Sequence, residues 1–440
     1  MSKASLFLNA CIVSPDLSGN IHTMNNAHLA VDNGIISYVG TSEEEAKNSL
    51  LNPSSADMFN CRNKLIMPTF ANGHSHLPMS LLKNSADDLP LEDWLFNHIL
   101  PREENLNSDD IYFGSLLGIA EMIQSGIGAT ADMYFMAENT ARAASEAGFR
   151  INLCHDGKYK KDDYWYTDEK GFSEFSRSIS NMDSEMIRTS LMVHSIYLYP
   201  EYLYPQLSEM AKSLNTSIQV HISETQVEVD NSIRLYGRTP VEALRDFGIF
   251  DRPCIGAHGV HLSDSDRKIL SEKKVTIAHN PSSNMKLASG LCDVRSLIAE
   301  GVNVTLGTDG SASNNNLNMF QEIRLASFIA KIVCDDAAAL NAKELIDIST
   351  RAGYHSMGFN KSGVLEAGMN ADLQIIDLLN PSIWPVGQPE SAIVYSATTS
   401  CVESVMVAGN FLKYKNDLLT IDIDKIRHET MTRSRRIAGA

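Results

Sequence analysis

Two hydrophobic rhythms alternate along this chain and divide it into three stretches. Over residues 1–63 the apolar runs are short and broken by turns, at 5–8, 10–13, 28–32 and 34–40. Asp32-Asn33-Gly34, between two of these runs, is a strong hairpin signal. A small β unit without obvious chemistry is expected here. From 64 to 360 the pattern becomes strand, loop, helix, repeated. Eight apolar runs read as buried strands, at 64–71, 126–132, 149–154, 190–194, 217–221, 253–258, 275–279 and 302–309. Segments with helical spacing lie between them, among them 112–124, 202–214 and 320–332. Eight such units predict an α/β fold, a parallel (β/α)8 TIM barrel, which typically needs about 250 residues plus insertions. After 360 the β rhythm returns. Residues 363–377 read as one hairpin and 402–412 as another, with Gly409-Asn410 as its turn. These strands are expected to join the N-terminal ones. Residues 1–63 and 361–422 would then form one small β-sandwich domain from both chain ends, beside a barrel at 64–360. Residues 423–440 read as a C-terminal helix, with Lys425, Arg427, Arg433, Arg435 and Arg436 on a solvated face.

The chemistry-bearing residues collect at the ends of the barrel runs: His74, His76, His194, His221, His258, His279 and Asp309. Barrels of this kind carry their active sites at the carboxyl ends of the strands. Residues two apart on an extended chain share a face, so His74 and His76 can present two imidazoles to one point, as a metal requires. One histidine alone is most often a satisfied core or surface residue. Several at the same end of consecutive strands are hard to explain as packing, although His194 and His279 taken singly fit that plain reading.

Composition narrows the picture. The chain has 440 residues, 43% hydrophobic and 21% charged, enough for a large core and two domains. A formal charge of -17 with few basic runs argues against nucleic acid or an anionic membrane as partner, while leaving uncharged nucleobases and nucleosides open. The 7 cysteines are odd in number and scattered, and no Cys-x-x-Cys occurs. They fit reduced, mostly buried thiols in a cytoplasmic chain rather than a disulfide framework, and the absence of Cys-x-x-Cys counts against a thiolate zinc site of the kind one class of base deaminases uses. No signal peptide and no membrane-crossing stretch is expected.

Seven stretches together carry a family pattern: GHSHLPMSLLKNSADDLPLEDWL, ADMYF, HISET, GAHGVHL, AHNPSSNMKLASG, LGTDGSASNNNLNMFQEIRLAS and SGVLEAGMNADLQIIDL. The chain resembles the amidohydrolase superfamily over nearly all its length. The branch is that of the 5'-methylthioadenosine/S-adenosylhomocysteine deaminases and the triazine hydrolases. The resemblance implies a metal-bearing barrel with a split sandwich. It implies His74, His76, His221 and Asp309 as ligands of one divalent metal. Imidazoles and a carboxylate suit Zn2+, and Fe2+ is served by the same donor types. Two-metal relatives often carry a bridging lysine on the fourth strand; residues 190–194 offer none, so a single metal is expected.

The activity implied is hydrolytic deamination of an adenine nucleoside by attack of metal-bound hydroxide, giving ammonia and an inosine analogue. Glu224, three residues past a ligand, would shuttle the proton. Family deaminases carry a glutamate there and some chlorotriazine hydrolases lack it. His258 would help deprotonate the water with Asp309, and His261 reads as structural or as a support. Trp94 and Glu103 match positions that face the nucleoside in the resembled deaminases, the carboxylate taking both ribose hydroxyls; Glu104 takes that role if the register slips by one. His194 would donate to a ring nitrogen such as purine N3. One departure stands out. The relatives that use S-adenosylhomocysteine carry an arginine after the third strand, and here His155 stands in its place. Histidine does not replace a bidentate clamp, and nothing in the sequence aims Lys158, Lys160 or Lys161 inward. 5'-Methylthioadenosine, 5'-deoxyadenosine or adenosine are therefore favoured over S-adenosylhomocysteine. The competing readings are a free-base or pterin deaminase, a triazine (chloro)hydrolase, and a catalytically silent ligand-binding relative. The expected partner is a small molecule, and the resemblance extends to homo-oligomers.

Overall fold

Eight parallel strands close into a barrel in the computed structural model, which describes residues 4–438. In chain order they are Phe70–His76, Ile127–Asp132, Arg150–His155, Ile187–His194, Ser217–Ile222, Cys254–His258, Thr276–His279 and a broken eighth, Asn303–Leu306 with Asp309–Gly310. Each pairs with the next in parallel. Closure is by the eighth on the first, Asp309 lying opposite Ser75 and Gly310 opposite His76. At the break the Asn72 side chain replaces the ladder. Its Oδ1 accepts from Thr308 N at 2.9 Å and its Nδ2 donates to Thr308 Oγ1 at 2.8 Å. Gly307 must lack a side chain, because a Cβ there would stand 2.2 Å from Asn280 Oδ1 and 3.0 Å from His74.

The first apolar run divides between two sheets. Lys64–Pro68 pairs in parallel with Ser5–Pro15 and antiparallel with Leu373–Asp377 in the terminal sheet, and the barrel strand starts only at Phe70. An uninterrupted apolar run reads as one buried strand because both halves are covered on both faces. Leu65 and Met67 join the core beneath the barrel helices, and Ile66 between them joins the terminal sheet's own core.

That terminal sheet has nine strands, drawn from the N-terminal and the C-terminal parts of the chain. The turn at Asn33-Gly34 (φ +50° and +82°) connects Ile21–Asp32 to Ile35–Gly40. The two first runs merge into Ser5–Pro15, irregular at Asn9. The expected hairpin at 363–377 is a correction: only Leu373–Asp377 is a strand there, because the preceding residues form turns that bond to Gly34 and Ile36. In the later hairpin, Val402–Val407 and Asn410–Tyr414, the turn is Ala408-Gly409, one residue earlier than predicted. Arg150 ties the barrel to this sheet. It is buried and meets Asp372 through Nε at 2.8 Å and Nη2 at 3.2 Å. No described helix is long and apolar enough to cross a membrane.

The tail helix, Ile423–Ile437, corrects a second expectation. Arg433 and Arg436 do not simply face solvent; both bond the buried carboxylate of Asp110, Arg433 Nη1 at 3.1 Å. Arg436 also donates to Asn105 O at 3.0 Å. Ile437 enters the cluster that contains Trp94, Leu95, Ile99 and Leu106.

Candidate active site

Four non-glycine residues at the barrel's carboxyl end adopt left-handed backbone: His194 (φ +44°), Ser223 (+50°), His258 (+77°) and Asp309 (+61°). Each such residue costs of order 1–3 kcal/mol, and strain of this kind collects where a chain is turned to aim side chains. Here it turns strands four, five, six and eight over one point.

At that point ligand-type atoms converge. Those of His74, His76 and Asp309 lie within 4.8 Å of one another, as do those of His74, His221 and His258. Asp309 Oδ1 is 3.4 Å from His74 Nε2 and 3.3 Å from His76 Nε2, and the Nε2 atoms of His76 and His221 are 3.4 Å apart. Backbone carbonyls set the tautomers. His76 Nδ1 donates to Met133 O at 2.5 Å and His221 Nδ1 to His194 O at 2.8 Å. Their Nε2 lone pairs therefore face each other and the carboxylate, and His74 Nε2 is buried without a hydrogen-bond partner. Bare lone pairs so close repel unless a cation lies among them; a second-atom bond to a carbonyl is the usual support of a metal-ligating histidine. Burial lowers His74 to about 4 and holds His221 well below the ordinary imidazole range, with His194 and His74 adding to the latter. Both are thus neutral donors. Burial also acts to lower His76, but the Asp309 carboxylate 3.3 Å from Nε2 outweighs this and raises it to about 9, a pull for positive charge at that atom. For Asp309, burial is outweighed by the His74 and His76 imidazoles beside it, which hold it well below the usual carboxylate range. The cluster calls for positive charge beside Asp309, and its donors fit a divalent metal.

Glu224 and His258 stand against this cluster. Glu224 Oε2 is 3.5 Å from His258 Nε2, and Oε1 accepts from Ser289 Oγ at 3.2 Å. Burial raises the Glu224 carboxyl, Asp309 adds to this, and His258 opposes it. His258 Nδ1 donates to Asn284 Oδ1 at 2.8 Å, which leaves Nε2 to accept a proton. Asp309 Oδ2 accepts from Ser283 at 2.6 Å and Ser313 at 2.7 Å.

These groups open on a chamber of about 50 Å³, whose walls include Met79, Trp94, Leu95, His194, Tyr197 and Leu287. Leu91, Trp94 and Leu95 form part of its wall, and their segment continues as a π-helical turn at Trp94–Ile99 and then Leu100–Glu103. Trp94 Nε1 is buried with no partner. Glu103 stands one side chain back from the chamber. Its Oε1 accepts from Tyr134 OH at 2.5 Å, and the Tyr134 ring lies 6.3 Å from that of His76. Burial raises the Glu103 carboxyl.

Other residues named from the sequence fall elsewhere. His155 is turned onto the helix layer, stacked on Phe175 at 4.8 Å, with Nδ1 accepting from Gly157 N. Lys158 does point inward, but its Nζ is taken by Met192 O and Asp156 Oδ1, both at 3.1 Å. Lys160 pairs with Asp163 on the surface. His261 donates to Ser289 O at 2.7 Å, supporting the loop that reaches Glu224. His279 is fully buried with neither ring nitrogen bonded, outside the metal cluster. The supports Ser283, Asn284 and Ser289 were missed. All three lie in the AHNPSSNMKLASG stretch, the only signal that could have found them.

Known proteins agree with this geometry. Residues 65–412 match the amidohydrolase family. A 5-methylthioadenosine/S-adenosylhomocysteine deaminase of Acetivibrio thermocellus is 41% identical over 434 residues, 98% of this chain and 99% of that one. A 5'-deoxyadenosine deaminase of Methanothermobacter thermautotrophicus is 39% identical over 85% of this chain and 88% of its own. The crystal structure of an adenosine deaminase from Xanthomonas campestris with bound zinc superposes with a TM-score of 0.91 at 29% identity, covering 99% of this chain and 98% of that one. With strands, kinked strand ends and histidine cluster all in this arrangement, the chain belongs to the amidohydrolase family.

Proposed function

We propose that this chain is a hydrolytic deaminase of adenine nucleosides, and that His74, His76, His221 and Asp309 hold a single zinc ion. The observation that carries the reading is the set of inward-facing Nε2 atoms around Asp309, with Glu224 and His258 beside it. The relatives named as nucleoside deaminases support the substrate class. When bound, a divalent ion supplies an activated water near neutral pH, lowering its pKa from 15.7 to about 7.

The protein's residues move the protons. Water adds to the amidine carbon of the purine, a ring nitrogen takes up a proton, and the exocyclic amine leaves as ammonia. Glu224, raised by burial, gives the proton to the ring nitrogen. His258 Nε2, kept bare by Asn284, takes a proton from the water side and lies 3.5 Å from Glu224 for return transfer. Trp94 offers its free Nε1–H and an apolar face to the nucleoside. Glu103, oriented by Tyr134, receives the ribose hydroxyls once the 91–104 segment opens. His194 lines the chamber where purine N3 would lie.

The charge around the site bears on the 5' group. A second cavity of about 240 Å³ shares Leu91, Leu95 and Tyr197 with the metal chamber and adds Glu92, Phe96 and Glu228. Among the described residues neither cavity is lined by lysine or arginine. A zwitterionic homocysteine tail would find carboxylates and apolar walls there. 5'-Methylthioadenosine and 5'-deoxyadenosine are therefore the favoured substrates.

Ammonia release from the zinc-loaded chain tests this. The panel is adenosine, 5'-deoxyadenosine, 5'-methylthioadenosine, S-adenosylhomocysteine, adenine, guanine, cytosine and melamine. Turnover confined to the nucleosides, weakest for S-adenosylhomocysteine, is expected. Turnover of bases or melamine alone would keep the metal chemistry and overturn the substrate.

A further inference from the structure

We infer that Glu228 is a positioning residue for the catalytic carboxyl of Glu224, an inference that rests on the proton-transfer role proposed above. Glu228 is buried and belongs to neither of the candidate metal-ligand groups. Its Oε1 accepts from Ser223 N at 3.0 Å and its Oε2 from Glu224 N at 2.8 Å. Both oxygens are spent on the backbone of one turn, the turn from which Glu224 projects.

The arrangement departs from the rule this chain follows elsewhere. Glu228 is the third residue of helix Gln226–Tyr236, whose N-cap is Thr225. An acidic residue there ordinarily reaches back to the N-cap N–H. Asp110, Glu242, Asp266 and Glu344 do so in their own helices, bonding the backbone N–H of Asn107, Thr239, Ser263 and Asn341. Glu228 passes over Thr225 and grips the two residues before it. Those residues need holding. Ser223 has φ +50°, a conformation a serine rarely keeps unless its surroundings impose it. From the other side Ser223 O accepts from Val260 N at 3.1 Å and His261 N at 2.9 Å. The turn is thus clamped by a carboxylate on its N–H side and by the sixth strand's loop on its carbonyl side. The result is that Glu224 Oε2 is kept 3.5 Å from His258 Nε2. Position of this kind matters because proton transfer requires heavy atoms within hydrogen-bond reach.

The test is a double-mutant cycle on the zinc-loaded full chain with 5'-methylthioadenosine, reading kcat, KM, zinc per chain and Tm. Glu228→Gln has one acceptor oxygen, and its NH2 opposes the second N–H. We expect kcat to fall about 10–100-fold, part of the usual general acid–base contribution, with zinc content near wild type and a change in KM smaller than that in kcat. In a Glu224→Gln background the same change should cost less than about two-fold, since residues acting as a unit are non-additive. An equal loss in both backgrounds, a change in KM alone, or an unaltered kcat would overturn the inference. If Glu228→Gln fails to fold or bind zinc, Glu228→Asp, which keeps both oxygens on a shorter reach, is read through the same cycle. Glu224→Gln turning over near the wild-type rate would instead sink the proton-transfer reading itself, and this inference with it.

Discussion

Glutamine at position 224 keeps the shape of the side chain and removes the proton that the proposed mechanism has it transfer. Glu224→Gln should therefore lower kcat about 10²–10⁴-fold, the usual worth of general acid–base catalysis. Zinc per chain, measured by atomic absorption, should stay near wild type, because the residue is not in the ligand cluster. A second residue tests electrostatics far from the site. Lys413 is buried in the terminal sheet, donates to Val402 O at 2.6 Å, and is lowered by burial to about 8. Its folded pKa lies below its unfolded value, so the folded state disfavours the proton. Stability is lost as pH falls through 8 and regained as pH rises toward the unfolded value of 10.5. Lys413→Met should raise Tm by about 1–4 °C at pH 7, an advantage that shrinks to nothing above about pH 10.5 as the lysine discharges; an unchanged or lower Tm at pH 7 would refute it. At this scale the sequence was informative about chemistry and silent about support. His74, His76, His221, Asp309, Glu224 and His258 could be named because unusual residue types recur at strand ends. Asn284, Ser289, Tyr134 and Glu228 could not, because serine, asparagine, tyrosine and glutamate are ordinary anywhere until their partners are known.

Among elements, the C-terminal helix carries the clearest consequence. Arg433 and Arg436 converge on Asp110, whose Oδ2 also caps helix Ser108–Gln124 by accepting from Asn107 N at 2.8 Å. Ile437 packs in the cluster that includes Trp94 and Ile99. The last helix thus braces the segment lying over the chamber. Asp110→Asn removes the charge that two guanidiniums meet and should cost about 1–3 kcal/mol, less than the roughly 3–5 kcal/mol of a fully buried pair because Arg436 is half-exposed. Calorimetry should show the lower Tm. KM for nucleosides should rise several-fold with zinc retained; an unchanged KM would disconnect the helix from the Trp94 segment. The basic residues had looked like a solvated face because that is the usual fate of such a cluster, and their partner lies 323 positions away in sequence. The split run at 64–68 and 70–76 escaped notice for a related reason: hydrophobicity reports burial, not which sheet does the burying.

For the whole molecule, the metal cluster sits where the barrel closes. His74 and His76 belong to the first strand and Asp309 to the eighth, paired at the seam. A ligand that binds only the folded state stabilises it in proportion to its occupancy, so an ion here should clasp the barrel as well as serve chemistry. Treatment with a chelator should lower Tm by several degrees and abolish ammonia release, and added zinc should restore both; a Tm indifferent to chelator would count against a seam-bridging metal. The α/β barrel, its eight strands and the pooling of histidines at one end were determined by the amino-acid order alone. They follow from periodicity, and periodicity is local. The tertiary structure alone decided the rest: that the eighth strand breaks and is stitched through Asn72, that the last helix packs on the segment of Trp94 and Ile99, that Lys158 is spoken for and His155 faces away, and that Glu228 grips the turn of Glu224. Each depends on which partner, backbone or side chain, the fold brings against a given residue, and that is set by the closed barrel and its packing rather than by hydrophobic periodicity.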